Sequence, residues 1–327
     1  MLGARFATRL NSFASGAAAH WPDQTEKPSL QQMVKRAAKV QGLTDVDLNY
    51  PDHAGGDLPQ TATMIRDCGL AVNGLAMRYY TNPAFKLGAF TNPDPVVRRE
   101  AIDLTKRGID ATRALGSNLM TLWLGQDGFD YGFQCDYDTL WQMEVAGLAD
   151  VAAHDPDCLI SVEYKPNEPR AYSLLPDAAT TLLAIADAGA ANLGVTLDFA
   201  HSLYANEQPA NAAAQILRRC RLLGLHLNDG YAKRDDGLMV ASVHAQATLE
   251  LLRTVSRAGY NGAIYFDTFP DATGMDPVRE CTTNIRTVQR ILATIARLDG
   301  NNLLADAQRN QDAVTAQDIV QAAMAGA

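Results

Sequence analysis

The sequence predicts an α/β protein built as a (β/α)₈ barrel with a C-terminal helical arm. Short apolar runs alternate eight times with longer segments of helical periodicity along the 327 residues, which is typical of a barrel of βα units. A doubly wound sheet is the second choice. It would normally carry an early glycine-rich phosphate turn, and the sequence has neither a G-x-G-x-x-G nor a G-x-x-x-x-G-K-[ST] pattern. α/β barrels of this length are single domains with one large core.

The predicted strands are short runs rich in branched and aromatic residues. In chain order they are Arg5–Ser12, Val46–Tyr50, Ala71–Met77, Leu119–Leu124, Leu159–Tyr164, Gly194–Phe199, Leu222–Leu227 and Ala263–Phe266. The helices predicted between and after them are Leu30–Val40, Pro59–Cys68, Pro95–Leu115, Tyr137–Ala153, Pro176–Ala188, Asn211–Arg221, Val243–Ala258 and Val278–Leu298.

Several helix ends carry local signals. Asp94-Pro95 and Asp276-Pro277 combine a capping side chain with a proline at the first helical position. Glycines stand where helices should end, at Gly42, Gly69, Gly116 and Gly259. Residues 1–298 are therefore assigned to the barrel. Residues 299–327 are rich in Ala, Gln, Asn and Asp and weakly amphipathic, and we expect a helical extension that packs on the barrel or serves as an oligomerisation arm.

Composition excludes several classes of protein. The net charge of −9 argues against nucleic acid as a partner, because phosphate binding needs a basic face. No apolar run approaches the roughly 18 to 20 residues of a membrane span, and the N-terminus lacks the apolar segment of a signal peptide. The five cysteines are widely spaced and form no CxxC pair. We therefore expect reduced thiols and a cytoplasmic protein.

Four successive predicted strands end in a side chain that can bind a metal ion. Glu163 ends strand five, Asp198 strand six, His226 strand seven and Asp267 strand eight. In a closed barrel the carboxyl ends of the strands converge, and catalytic groups lie there. Alone, such an Asp is more often a helix cap and such a His a hydrogen-bonded core residue. Together, three carboxylates and one imidazole predict a site for Mn²⁺, Co²⁺ or Mg²⁺, with Mn²⁺ first, rather than a structural zinc.

Further candidates follow these strands. Lys165 shares a strand face with Glu163, and we expect its ammonium beside a substrate oxygen. His201, with Asp235 or Asp236, is a candidate for a second cation, although a solvated charged loop is the alternative. Trp123 offers a flat wall to a sugar unless it is a core residue. His53 is a candidate contact to a sugar hydroxyl, or a surface-loop histidine.

These residues resemble a known family. The runs Glu163-Tyr164-Lys165-Pro166-Asn167-Glu168-Pro169, Leu197-Asp198-Phe199-Ala200-His201 and His226-Leu227-Asn228-Asp229, with Trp123-Leu124-Gly125, are similar to the xylose isomerase-like TIM-barrel superfamily, and most similar to L-rhamnose isomerases and related sugar isomerases. The resemblance implies Glu163, Asp198, His226 and Asp267 as ligands of a structural metal. It implies His201 and Asp235 as ligands of a catalytic metal, Lys165 near the first carbons of the sugar, and a tetramer or dimer.

Two positions depart from the family pattern. The second metal takes another carboxylate two positions after the residue matching Asp235, where this chain has Gly237, and Asp236 is the candidate replacement. A strand-two histidine of L-rhamnose isomerases matches Asn49, which leaves Asn49 as a candidate substrate contact. His53 replaces that histidine only if its loop bends back. These departures affect the identity of the sugar more than the type of reaction. The candidate substrates therefore include a pentose such as D-apiose.

Four functions follow from these residues. The first is a metal-dependent aldose–ketose isomerase, with hydrogen moving between C2 and C1 as a hydride or through an enediol. The alternative is a ketose 3-epimerase, which uses a Glu pair on strands five and eight. Asp267 is one methylene shorter than that Glu, and Lys165 is additional, so both residues favour the isomerase. A metal-dependent endonuclease would need more histidines than six and a basic face. A non-catalytic sugar-binding barrel would not need Lys165 beside four charged ligands.

Overall fold

Eight parallel strands form a closed barrel in the computed structural model, which describes residues 2–14, 17–24 and 26–326. Each strand pairs with the next along the chain, and β8 pairs with β1 through Phe6 opposite Ile264. The predicted fold class is confirmed. The strands are β1 Phe6–Arg9, β2 Asp45–Tyr50, β3 Ala71–Met77, β4 Leu119–Leu122, β5 Leu159–Glu163, β6 Leu193–Asp198, β7 Arg221–Leu227 and β8 Ile264–Phe266.

A helix follows each strand, and two more follow the last. They are α1 Leu30–Ala37, α2 Leu58–Asp67, α3 Pro95–Ala114, α4 Tyr137–His154, α5 Ala178–Ala188, α6 Pro209–Arg219, α7 Ala245–Arg257, α8 Pro277–Asp299, α9 Asn302–Arg309 and α10 Ala313–Ala325. Short helical turns are Leu10–Phe13, Ala17–His20, Tyr79–Thr81, Pro83–Leu87, Phe199–Tyr204 and Pro270–Thr273, and Gly128–Phe129 pairs with Tyr172–Ser173 as a small antiparallel sheet.

Most of the helix signals act as predicted. The Asp94 side chain accepts from the N–H of Val96, and the Asp276 side chain accepts from the N–H of Val278, so each carboxylate satisfies a donor that the first turn leaves free. The glycines expected after helices have φ between 80° and 89°. A side chain rarely adopts this conformation, which explains why α2, α3 and α7 end two residues before Gly69, Gly116 and Gly259. The prediction for Gly42 is wrong, because α1 already ends at Ala37.

Many predicted boundaries differ from the structure, most of them by one or two residues. Strand one was expected to reach Ser12, but it ends at Arg9 and the chain turns into the helical segment Leu10–Phe13. Strand four ends at Leu122, so Trp123 belongs to the following turn. The sixth helix begins at Pro209, because Gln208 caps it through the N–H of Asn211. Apolar runs continue across these ends, so hydrophobicity alone does not mark them.

The barrel wall separates an apolar layer from a polar interior. Side chains alternate along each strand, so on β5 Ile160 and Val162 pack against the helices while Ser161 and Glu163 point inward. Inside the barrel, the Ser161 and Thr196 hydroxyls share a hydrogen bond of 2.5 Å. The interior can therefore present charged groups at its carboxyl end without disturbing the core between strands and helices.

The residues after α8 fold back on their own barrel. Arg297 on α8 donates to the carbonyl of Ala323 on α10 at 2.8 Å, and Gln246 on α7 exchanges hydrogen bonds with Gln317 and Gln321. The division at residue 298 and the role of residues 299–327 in an oligomer stay predictions. Across the described residues, no helix combines the length and the apolar run needed to cross a bilayer.

Candidate metal centre and active site

Four side chains at the carboxyl end of the barrel meet at one point. Glu163 and Asp198 end β5 and β6, His226 lies one residue before the end of β7, and Asp267 directly follows β8. Each offers a ligand atom, and these atoms all lie within 4.8 Å of one another. The structure thus brings together the four residues that the strand ends predict. Among residues 2–14, 17–24 and 26–326, no second compact group of this kind is present.

Asp198 has two structural roles, because it also begins a short helix. Its Oδ1 accepts from the N–H of His201 at 3.0 Å, which caps the segment Phe199–Tyr204. Asn228 donates from Nδ2 to both Asp198 oxygens, at 3.2 and 3.1 Å, and its own oxygen accepts from the N–H of Ala200. The carboxylate is therefore fixed in orientation before any ligand binds, as outer residues commonly do for metal ligands.

The other three groups are held by neighbours across the barrel. His226 Nδ1 lies 3.2 Å from Glu163 Oε1, and its ring packs on Tyr265 with centroids 4.2 Å apart. Asp267 Oδ1 lies 3.8 Å from the Arg9 Nε. Both Glu163 and His226 are less than a tenth exposed, so these contacts operate largely outside bulk water.

The electrostatics of the cluster are those of a site with too much negative charge. Burial raises the pKa of Asp198 to about 7, and it also raises the pKa of Asp267. Burial opposes charge on His226 too, yet Glu163 outweighs it and raises the histidine pKa to about 9. Burial likewise opposes ionisation of Glu163, but His226 and His201 hold its pKa below the usual range. Without a cation, the cluster keeps protons that a divalent ion would displace.

The donor set fits a hard divalent cation. Carboxylate oxygens and one imidazole suit Mn²⁺, Mg²⁺ or Co²⁺, and the cluster contains no thiolate. The four ligand atoms come from rigid strand ends, and Asn228 fixes one of them in orientation. The identity of the ion stays a prediction.

Lys165 and His201 converge on Asp235. The Lys165 Nζ and the His201 Nε2 each lie 3.2 Å from Asp235 Oδ2, and Lys165 is also 3.0 Å from Glu168. His201 Nδ1 lies 3.0 Å from the carbonyl of Tyr164. Burial opposes charge on His201, but Asp198 and Asp235 raise its pKa to about 10, so the ring is a cation that donates to Tyr164 from Nδ1 and to Asp235 from Nε2. Asp235 Oδ1 is buried without a hydrogen-bond partner in the structure. That oxygen is available to a ligand.

The loop after β7 is shaped by Asp229, which sequence reasoning did not single out. This fully buried carboxylate accepts from the N–H groups of Gly230, Val243 and His244 and from the His244 ring, and so closes the loop that carries Asp235. The only signal in the sequence was its position two residues after β7.

Asp236, the candidate replacement for a second-metal ligand, is used by its own loop. Its carboxylate accepts from the Tyr231 N–H and the Arg234 Nε, each at 2.8 Å. Gly237 has φ of +55°, and a Cβ there would lie 2.3 Å from the Phe269 ring. A carboxylate at position 237 would therefore displace Phe269. A second ion at His201 and Asp235 stays a prediction.

A cavity of about 820 Å³ opens above the cluster and is lined by Glu163, Asp267, Lys165, His201, Asp235 and Trp123. The Lys165 Nζ lies 5.3 Å from the centroid of the Trp123 ring, which packs on Tyr80. The absence of a side chain at Gly125 leaves room for the Trp123 ring, since a Cβ at residue 125 would lie 2.5 Å from the indole. Trp123 thus forms one wall of the cavity, and its contact with a sugar stays a prediction.

Asn49 and His53 are placed differently from the other candidates. Neither is among the residues that line the cavity. Asn49 donates from Nδ2 to Asn11 at 2.8 Å, and its N–H donates to His53 Nδ1 at 3.1 Å. Burial lowers the pKa of His53 to about 4, so the ring is neutral at ordinary pH. Their contact with a substrate stays a prediction.

Other cavity residues carry no motif that sequence reasoning recognised. Gln126 follows Trp123 in the turn after β4, and Arg170 and Phe269 lie in loops after β5 and β8. Arg170 is buried and paired with Asp130 at 2.9 Å. The only available signal was their position just beyond a strand end.

Comparison with known proteins gives a family match. The model of the family described as "Xylose isomerase-like TIM barrel" matches residues 34–288. A xylose isomerase of Thermus thermophilus is 30% identical over 207 residues, which are 62% of this chain and 54% of that protein. The chain thus spans about half the length of this curated relative.

Solved structures share the fold at low sequence identity. An L-ribulose 3-epimerase superposes with a TM-score of 0.70 at 18% identity, covering 92% of this chain and 97% of the epimerase. A xylose isomerase domain protein from Alicyclobacillus acidocaldarius has a TM-score of 0.64 at 18% identity, covering 90% and 99%. At such identities the likeness shows the barrel fold alone.

Proposed function

The chain belongs to the xylose isomerase-like TIM barrel family, and on that premise we propose that it is a divalent-metal-dependent aldose–ketose isomerase. The observation that carries the proposal is the convergence of Glu163, Asp198, His226 and Asp267 within 4.8 Å, in a cavity that also contains Lys165. Aldose–ketose interconversion requires that the two adjacent sugar oxygens at C1 and C2 are polarised. It also requires that the negative charge that develops on the carbonyl oxygen is stabilised. The site offers groups for both tasks.

The four converging side chains would hold the ion, with Mn²⁺ the first expectation and Co²⁺ or Mg²⁺ the others. When bound, a divalent ion supplies Lewis-acid polarisation of the oxygens at C1 and C2 of an open-chain sugar. His201 and Asp235 are the residues proposed for a second ion. The protein contributes the alignment, because Asn228 fixes Asp198 and His226 is held between Glu163 and Tyr265.

Lys165 stabilises negative charge that develops on the sugar carbonyl oxygen. Burial opposes its charge, but Asp235 and Glu168 raise its pKa, so the side chain is an ammonium across the working pH range. The ammonium lies over the Trp123 ring, and the Lys165 side chain is buried. A fixed cation in such a place stabilises a transition state more than it would in water.

Asp235 orients the hydroxyl that exchanges its proton. His201 and Lys165 both contact its Oδ2, which leaves Oδ1 to accept from a sugar hydroxyl. Although burial opposes ionisation, His201 and Lys165 hold the pKa of Asp235 well below the usual range. It therefore stays charged and accepts a hydrogen bond rather than taking the proton permanently.

A small monosaccharide fits this arrangement. Trp123 presents an aromatic face to the C–H surface of a sugar. The proposed substrates are an L-rhamnose-like aldose or a pentose such as D-apiose. A cytoplasmic homo-oligomer, tetramer or dimer, is the proposed form of the enzyme, and no nucleic acid or membrane partner is proposed.

The experiment that tests this function starts from metal-free protein. Mn²⁺, Co²⁺ and Mg²⁺ are added separately, and L-rhamnose, D-apiose, D-xylose and their ketoses are screened for interconversion. Glu163→Gln removes one ligand charge and should abolish ion binding, measured by calorimetry, together with turnover. Glu100→Gln is the matched control, because Glu100 is exposed on α3 and pairs with Arg107.

Two results would contradict the proposal. Full activity of Glu163→Gln would show that the site is assigned wrongly. Solvent deuterium incorporated at C3 of a ketose, with no aldose formed, would identify the enzyme as a ketose 3-epimerase. That activity would use Glu163 and Asp267 as acid and base.

A further inference from the structure

Three buried polar atoms just after β3 and β4 have no hydrogen-bond partner. They are the Arg78 Nε, just after β3, and the Trp123 Nε1 and the Gln126 Oε1, in the turn after β4. All three residues line the cavity that contains Lys165 and Glu163, and Arg78 and Gln126 are those that do not belong to its aromatic wall. Buried polar groups are nearly always paired in folded proteins, so an unpaired one in a cavity indicates the place of a ligand.

The Arg78 guanidinium differs from Lys165 and Arg170, the buried lysine and arginine of the cavity. Lys165 and Arg170 each have a carboxylate partner within 3.3 Å, at Asp235 and Asp130. Within the described residues the Arg78 side chain forms no ion pair or hydrogen bond, and its guanidinium carbon lies 5.8 Å from the centre of the Tyr80 ring. Its charge still reaches the metal cluster, because it contributes to lowering the pKa of Glu163.

The backbone that carries Gln126 is held rigidly. The next residue, Asp127, is buried and accepts from the N–H groups of Ala89 and Thr91 and from the Thr91 hydroxyl, at 2.5 to 3.0 Å. These bonds join the loop after β4 to the loop after β3. Arg78 begins that second loop, so the two side chains extend from loops that are joined to each other, which favours a fixed recognition site.

We propose that Arg78 and Gln126 recognise the hydroxyl groups of the sugar that lie away from the metal cluster, and that they thereby determine which sugar is accepted. This inference rests on the proposed function. A hydroxyl both donates and accepts, so it satisfies the Arg78 N–H and the Gln126 oxygen together. A carboxylate or phosphate accepts only, and it would meet Asp130 and Glu168, which also line the cavity.

A binding measurement without turnover tests the inference. Protein loaded with Mn²⁺ is titrated by calorimetry with xylitol, ribitol and L-rhamnitol, which cannot isomerise, and then with monodeoxy analogues of the tightest alditol. Gln126→Leu, Arg78→Met and Arg78→Lys should each bind that alditol about tenfold more weakly or worse, and Mn²⁺ affinity should not change. One monodeoxy analogue should bind the wild type and Gln126→Leu equally, which identifies the hydroxyl.

Gln142→Leu and Arg66→Met are the matched controls, because both side chains are exposed on helices outside the cavity. Melting temperatures of all variants show that they are folded. Alditol affinities equal to those of the wild type in all three cavity variants would overturn the inference and leave the proposed function intact. The inference would also be overturned if D-ribonate or ribitol 5-phosphate bound more tightly than the alditols and this binding depended on Arg78.

If the wild type binds no alditol, the inference is overturned as well. If alditols bind as expected but no aldose or ketose is interconverted, the proposed function fails and the assignment of Arg78 and Gln126 stands.

Discussion

Buried carboxylates lie at both ends of the barrel interior, but their surroundings differ. At the amino end, Asp45 is held by Arg5 at 2.5 and 3.2 Å and by the Thr44 hydroxyl at 2.6 Å, and Asp47 accepts from Asn73 at 2.9 Å. Each of these charges has a partner supplied by the chain. At the carboxyl end, the ligand atoms of the four clustered residues face one another at 4.8 Å or less.

The difference separates a structural use of charge from a functional one. A carboxylate with its own cation or amide donor completes the barrel and needs nothing further, unless several other carboxylates crowd it. Carboxylates that crowd together are destabilising until a cation joins them. Within the described part of the chain, the carboxyl end is therefore the incomplete end, which is where barrels of this type carry their chemistry.

Removal of metal should have the largest effect and should act at the carboxyl end alone. EDTA is expected to abolish turnover and to lower the melting temperature, because an ion at 100 times its Kd stabilises the folded state by about 2.7 kcal/mol. Activity and differential scanning fluorimetry, with and without Mn²⁺, measure this. Asp198→Asn should lose the Mn²⁺ response, and a response that persists in this variant would contradict the comparison.

Lys165→Met should lower kcat by about 10² to 10³, since it removes a fixed cation from the charge that develops on the sugar. Metal affinity should be retained, because Lys165 contacts Asp235 and Glu168 and not the four clustered residues. Steady-state kinetics and calorimetry separate the two effects. Lys106→Met, at an outer ion pair with Asp150, is the control. Unchanged kcat in Lys165→Met would remove the residue from the mechanism.

Asp47→Asn tests the amino end through pH. Burial raises the Asp47 pKa to about 7, so between about pH 4 and about pH 7 the folded protein keeps a proton that the unfolded chain has lost. Wild-type stability therefore falls as pH rises through this window, by a few kcal/mol at most, and the variant lacks this contribution. Urea unfolding in EDTA, near pH 5 and near pH 8, measures the free energy of unfolding of both proteins. The difference between Asp47→Asn and the wild type should shift in favour of the variant at the higher pH. An equal difference at both pH values would contradict this prediction.

Arg5→Met should have the smallest effect. It leaves Asp45 buried with Thr44 alone, but Arg5 is itself nearly half exposed, so the expected loss is about 1 kcal/mol of unfolding free energy. Turnover with saturating Mn²⁺ should be unchanged, because the pair lies at the opposite end from the cluster. Loss of turnover without loss of stability would show that the two ends are coupled.

The sequence was sufficient to predict the barrel and the central cluster. The side chains of a strand point alternately to its two faces, which is a local property. Glu163 and Asp198 were therefore expected on the inner face of the barrel from the sequence alone. The rule that strand ends converge then brought residues from four separate units to one point. Helix starts at Asp94 and Asp276 were equally local, because a cap acts within one turn.

Loop residues could not be placed in this way. Asp236 looked as available as Asp235, but its carboxylate binds the Tyr231 N–H and Arg234 of its own loop. Arg78 and Gln126 belong to no motif. They line the same cavity in the folded protein, where Asp127 joins the loops after β3 and β4. Such contacts link residues distant along the chain, so no local pattern records them.

The sequence by itself determined the eight βα units, the inward side chains and the residue types of a hard metal site, because each follows from periodicity and chemistry within a few residues. Tertiary structure decided which of the loop groups reach the cavity, which carboxylates are already satisfied and how the last two helices pack. Those outcomes depend on hydrogen bonds and packing between segments that meet once the barrel has closed.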